Sequence, residues 1–152
     1  MIRFTLLFCL LAWPGAAIVH SADRTIYAGP IPATVVKVRD GDSVDVIAHV
    51  WPGHDVRVSI RLRGIDAPEL RARCDEERIK AISARDRLQA LLASGKARLR
   101  DVSGGKYFGR VLSRIEAMDG RDVQSALLSE GLVRPYRGGK RESWCGDDLA
   151  LR

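Results

Sequence analysis

The sequence predicts an α+β, β-rich fold: a small Greek-key barrel with helices packed on it. Three observations carry that expectation. Three strand-like segments linked by hairpin turns come first, a long helical segment follows, and then two more strands and a short helix. The 152 residues allow one domain with a modest core, not two. Hydrophobic residues make up 46% of the chain, which excludes a disordered polypeptide, and aromatics only 6%, so the core must be mostly aliphatic.

The elements read in order as follows. Arg3, the apolar run Phe4 to Trp13, the break at Pro14-Gly15 and the small residues Ala16, Ala17, Ser21 and Ala22 have the layout of a secretory leader, residues 1–22. Cleavage is expected after Ala17, Ser21 or Ala22. The run is shorter than the roughly 20 apolar residues a stable membrane span needs; the competing reading is a retained anchor. Residues 23–32 read as a flexible lead-in, and 33–152 as the domain. Thr34 to Arg39 is β-branched and ends at Asp40-Gly41, a strong hairpin signal. Ser43 to Val50 is the second strand, and Trp51-Pro-Gly-His54 a turn. Asp55 to Arg63 alternates: Val56, Val58, Ile60 and Leu62 on one face, Arg57, Ser59, Arg61 and Arg63 on the other. Period two predicts a half-buried strand with a basic outer face.

Asp66-Ala-Pro-Glu69 reads as a helix start of the capping-box kind. Asp75 to Ala93 is the main helix, with Ala81, Ala84, Leu88 and Leu91 at helical spacing and Gly95 as its stop. Ala97 to Val102 and Val111 to Ala117 are strands, Asp122 to Glu130 a short helix, and Val133 to Tyr136 a last short strand. Little regular structure is expected from Arg137 onward. This order and length fit a five-stranded OB-type Greek-key barrel with two or three packed helices.

The 25 Lys and Arg outnumber 19 Asp and Glu, and the formal net charge is +6. Only five of the cations are lysines. The arginine fork suits bidentate phosphate contact, although codon bias alone would explain the excess. Removing the leader removes Cys9 and leaves Cys74 and Cys145. A disulfide is the simplest reading of an even pair in an exported chain, and two free thiols the alternative. It would close a loop of about 70 residues, worth about 4 kcal/mol by chain entropy. The spacing fits no zinc pattern.

Three strings can carry chemistry. Asp40-Gly-Asp42-Ser43 sets a second carboxylate beside a turn, where two like charges invite a hard cation. Arg61-Leu-Arg-Gly-Ile-Asp66-Ala-Pro-Glu69 adds an arginine and two more carboxylates. Tyr107-Phe-Gly-Arg110 adds another arginine. Each alone has a structural explanation: a common turn, a cap, a solvated cation. Together they resemble the staphylococcal nuclease (thermonuclease) family from about Ala33 to Tyr136, and the R-x-x-x-x-D-x-P-E string after a DGD hairpin is the most specific part.

The resemblance implies a role for each matched position. Asp42 and Asp66 would be metal-binding aspartates, and Ala67 would supply a backbone carbonyl to calcium. Glu69 would activate or position the attacking water, and Arg61 and Arg110 would grip the scissile phosphate. Asp40 would stand beside the metal without touching it. It further implies a calcium-dependent endonuclease acting on DNA and RNA, single-stranded or frayed regions preferred, with 3′-phosphate products. The chain is expected to be a monomer, exported to the periplasm or secreted, without stable membrane association after leader cleavage. This sequence departs from the family pattern in having Ser43 after DGD and Phe108 between Tyr107 and Gly109; Arg134 to Tyr136 matches the family's stacking tyrosines poorly. Two alternatives compete: a catalytically silent OB-fold nucleic-acid-binding module of the periplasm, and a structural module in which the carboxylates are caps and turns. The silent module should lack at least one of Arg61, Glu69 and Arg110, and all three are present.

Overall fold

A computed structural model describes residues 25–105 and 109–146. The expected leader and residues Tyr107 and Phe108 of the third string lie outside the described residues. Seven strands and two helices are present among those described: β1 (Ile31–Asp40), β2 (Ser43–Trp51), β3 (His54–Leu62), β4 (Ile65–Asp66), α1 (Asp75–Leu91), β5 (Lys96–Gly104), β6 (Arg110–Ala117), α2 (Val123–Ser129) and β7 (Arg134–Pro135). β1, β2, β3, β6 and β5 close into a barrel in that order. All neighbours are antiparallel except β3 and β6, which run parallel. This is the OB-type barrel expected, with two helices on it.

Val44, Val46, Ile60, Leu62, Leu99 and Ile115 are buried in the barrel core. That set is aliphatic, as the low aromatic content requires. α1 turns Ala84, Leu88 and Leu91 to this core and also buries Ala81, and α2 adds Val123 and Leu127. Buried Gln124 fixes α2 to β6: its amide donates to the Ser113 carbonyl at 3.0 Å and its carbonyl accepts from Ile115 N–H at 3.0 Å. Both groups of the buried amide are thereby satisfied.

The first hairpin closes on the pair Asp40 and Ser43, with Gly41 and Asp42 at the turn. Gly41 is required by close approach. A Cβ there would lie 2.7 Å from the Ala84 Cβ and 2.9 Å from the Ala67 Cβ. The hairpin therefore seats directly against α1 and against the segment that follows β4. Ahead of the barrel, Tyr27 pairs with Val102 through two backbone hydrogen bonds of 2.8 Å.

Two local expectations are corrected. No helix starts at Asp66. Asp66 lies in β4, paired with Arg134 of β7, and residues 67–69 have no regular structure. α1 starts nine residues later, where Cys74 is the N-cap and its sulfur accepts from Glu77 N–H at 3.4 Å. The acidic triplet Asp75, Glu76 and Glu77 then fills the first turn, favourably placed against the helix dipole. The alternation of β3 also holds only in its second half. Ile60 and Leu62 are buried, whereas Val56 is exposed. The β2–β3 hairpin projects past the barrel, since β6 pairs with β3 only from Ser59 onward. On the opposite face Arg61 is not a solvated cation: only 18% of its side chain is exposed.

Candidate active site

The barrel sets five of the six sequence-predicted residues at one end. Asp42 sits at the β1–β2 turn, and its neighbour Ser43 pairs with Arg61 across β2 and β3. The chain leaves β3, turns through Gly64, and enters β4 with Asp66, followed by Ala67 and Glu69. Asp42 and Asp66 are only 2% and 5% exposed. Buried carboxylates need partners, and these have them. Asp42 Oδ2 accepts from Ala67 N–H at 2.9 Å, and Oδ1 from the Ser43 hydroxyl at 2.9 Å. The Asp42 N–H in turn donates to Asp40 Oδ1 at 3.0 Å, so Asp40 shapes the turn.

Arg61 is ion-paired with Asp42 and donates to Asp66 Oδ1 and the Ile65 carbonyl, each at 3.4 Å. Burial, then the nearby Arg141, pull its pKa below the usual guanidinium value; Asp66 and Asp40 oppose this, and Arg110 adds to the depression. Arg141 and Arg110 thus both bear on the Arg61 charge, against the pull of Asp66 and Asp40. Arg110 begins β6, is exposed, and stands in register with Ser59. It is the sixth predicted residue. It reaches the others through its field on Arg61, with no direct contact to the carboxylates among those described.

Glu69 is on the surface, with half its side chain exposed. Its backbone is fixed from below. Buried Glu77 of α1 accepts from Glu69 N–H at 3.2 Å and from Arg73 N–H at 3.4 Å. One carboxylate at the start of α1 therefore holds the irregular loop that presents Glu69.

The last described stretch crosses the same end. Cys145 is joined to Cys74 with Cα atoms 6.0 Å apart, as the cysteine count predicts. Trp144 is buried and donates its indole N–H to Asp66 Oδ2 at 3.3 Å, and Arg134 stacks on its ring at 3.7 Å. Arg141 bonds to Asp66 and Glu69 and donates to the Ala67 carbonyl at 3.3 Å. Burial works against its charge, but the bonds to Glu69 and Asp66 outweigh that and raise its pKa. A cleft of about 680 Å³ lies among Asp66, Glu69, Arg73, Lys140, Arg141 and Trp144. A second hollow of about 420 Å³ shares Asp66 and Lys140 and adds Arg134, Tyr136 and Arg137.

Residues 59–147 match the family described as staphylococcal nuclease homologue. The chain belongs to the staphylococcal nuclease family. No curated protein sequence matches it. The matched region holds the second half of β3, β4 to β7 and both helices, with Arg61, Asp66, Ala67, Glu69 and Arg110 inside it and Asp42 ahead of it. It is a nuclease-family chain on an OB-type barrel, and that family implies a nucleic-acid substrate.

The donors around this end fit a hard divalent cation. Asp42, Asp66 and the Ala67 carbonyl offer oxygen only, and they already surround one cation, the Arg141 guanidinium. Among the described residues a second acidic and thiol group gathers as Cys74, Glu77 and Cys145. Its sulfurs are used up in the disulfide. Glu77, Trp144 and Arg141 were not predicted from the sequence as site residues. Glu77 reads there as one more acidic residue of a helix start. The tail carries a weak signal: a basic stretch, Arg137 to Arg141, placed just before a paired cysteine.

Proposed function

We propose that this protein is an exported, calcium-dependent endonuclease that hydrolyses DNA and RNA to 3′-phosphate products. One observation carries the proposal: Asp42, Asp66, the Ala67 carbonyl, Glu69 and Arg61 meet at one end of the barrel, beside an open cleft. Asp42, Asp66 and Ala67 would hold the calcium. The ion would lend positive charge to the scissile phosphate and acidify a water. The remaining chemistry belongs to the chain. Arg61, held rigidly on β3, binds the anionic phosphate and stabilises the extra charge that develops as the phosphorane forms. Arg110, from the neighbouring parallel strand, adds to that field. Glu69 orients the attacking water and takes its proton as oxygen bonds to phosphorus. The P–O5′ bond breaks, and the departing 5′-oxygen is protonated from solvent. No step uses the ribose 2′-hydroxyl, so both nucleic acids qualify.

The exposed Lys140 and Arg137 along the cleft would contact backbone phosphates, and we read single-stranded or frayed nucleic acid as the preferred substrate. The Cys74–Cys145 disulfide supports an oxidising destination, periplasmic or extracellular. No described helix is long and apolar enough to cross a membrane, and we read the mature chain as an unanchored monomer. Digestion of plasmid and RNA by the mature protein, with calcium or with chelator in excess, tests the proposal. Cleavage of both with calcium and of neither with chelator is expected. Binding without cleavage under both conditions would favour the silent module.

A further inference from the structure

The strap 136–145 is fastened at both ends of its path over the site. Tyr136 N–H donates to the Gly64 carbonyl at 2.8 Å, and Cys145 is bonded to Cys74. Between these anchors Arg141 turns inward. Its guanidinium is bonded to Asp66 and Glu69, donates to the Ala67 carbonyl at 3.3 Å, and lies 4.0 Å from Asp42. One tethered cation therefore engages every oxygen group that the proposed function gives to the metal and the base. Asp66 has little left to offer: Oδ1 already receives Arg61 and Arg141, and Oδ2 receives the Trp144 indole.

We infer that Arg141 is an intramolecular competitor of calcium, occupying the metal's cradle until the ion displaces it. The inference rests on the calcium reading of the site. Its physics is simple. Three carboxylates in one cleft repel each other unless a cation stands among them. A planar guanidinium can bond several oxygens at once. The strap holds it at high local concentration, so it competes without needing to bind tightly. Calcium can enter Asp66 and the Ala67 carbonyl only after Arg141 withdraws. The arginine is then free at the cleft wall, where 40% of its side chain already faces solvent. The strap thus sets the metal concentration at which the site becomes loaded.

The test is calcium affinity by calorimetry, without substrate, for wild type, Arg141→Gln and Arg141→Lys, all oxidised and checked for folding. Trp144 fluorescence, isolated in the leader-cleaved chain by Trp51→Phe, reports the same event because its indole bonds Asp66. Loss of charge-assisted contacts in a partly exposed site should tighten calcium by about tenfold in Arg141→Gln. Arg141→Lys keeps the charge but loses the fork, and should tighten it by a smaller factor of about three. If Arg141→Gln does not fold, the lysine variant decides. Calcium binding with equal affinity in wild type and variants overturns this inference and leaves the nuclease reading standing. No calcium binding by any of the three removes the metal reading and this inference with it.

Discussion

Replacing Glu77 with alanine should damage both the stability of the fold and the chemistry at Glu69. The Glu77 carboxylate is buried, stands in the first turn of α1, and accepts from two backbone N–H groups eight and four residues earlier. At 3.2 and 3.4 Å these bonds are long, so each is placed at the low end of the charged range, about 1.5 kcal/mol. Loss of a negative charge at the helix N-terminus adds about 0.5 kcal/mol. The expected cost is about 3.5 kcal/mol in urea denaturation. The loop from Ala67 to Arg73 also loses its anchor, and Glu69 is presented less accurately. A base misplaced in this way should lower kcat by about tenfold, with a smaller change in KM. Glu77→Gln retains one acceptor oxygen and should recover about half of the stability. If Glu77→Ala unfolds within 0.5 kcal/mol of wild type and cleaves at the same rate, Glu77 does not hold the loop.

Other outcomes follow from the same structure. Reducing the Cys74–Cys145 disulfide, which spans 71 residues of sequence, should lower stability by about 4 kcal/mol; oxidised and reduced melts showing no difference would contradict this. Gly41→Ala places a methyl group against Ala67 and Ala84 and should cost about 1–3 kcal/mol, partly restored by Ala84→Gly. Asp45 should make stability acid-sensitive. A hydrogen bond from Arg39 pulls its pKa below the usual 3.8; burial opposes this, and Ser59 adds to the lowering. Its contribution is then fully present above pH 3.8 and fades as pH falls through the folded value. Asp45→Asn should be clearly less stable than wild type at neutral pH, with the gap narrowing in urea melts as pH falls from 3.8 through the folded value.

The sequence discloses what is local. Hairpins at Asp40-Gly41 and Trp51–His54, the period of the second half of β3, and the spacing of α1 all depend on neighbours close in the chain, and all appear in the fold. Asp42, Arg61 and Asp66 meet because consecutive strands carry them to the same barrel end. What was illegible depends on distant partners. Asp66-Ala-Pro-Glu69 has a capping-box pattern, but pairing of Asp66 with Arg134, almost 70 residues away, ends a short strand there and leaves residues 67–69 irregular. Val56 has the pattern of a core residue, but no strand arrives to cover it. Arg141 and Trp144 reach Asp66 because the β4–β7 pairing and the disulfide hold the tail across this end, and no periodicity encodes that.

The most direct test of Glu69 as the general base is the cleavage rate of Glu69→Gln with calcium in excess. Glutamine keeps the side chain's size but cannot take a proton from water. Glu69 lies in an irregular, exposed loop and caps no helix, so the exchange should leave the melting temperature almost unchanged. Loss of a positioned general base should lower the rate by about 10²-fold or more. Cleavage at the wild-type rate by a folded Glu69→Gln protein would contradict the assignment of this site.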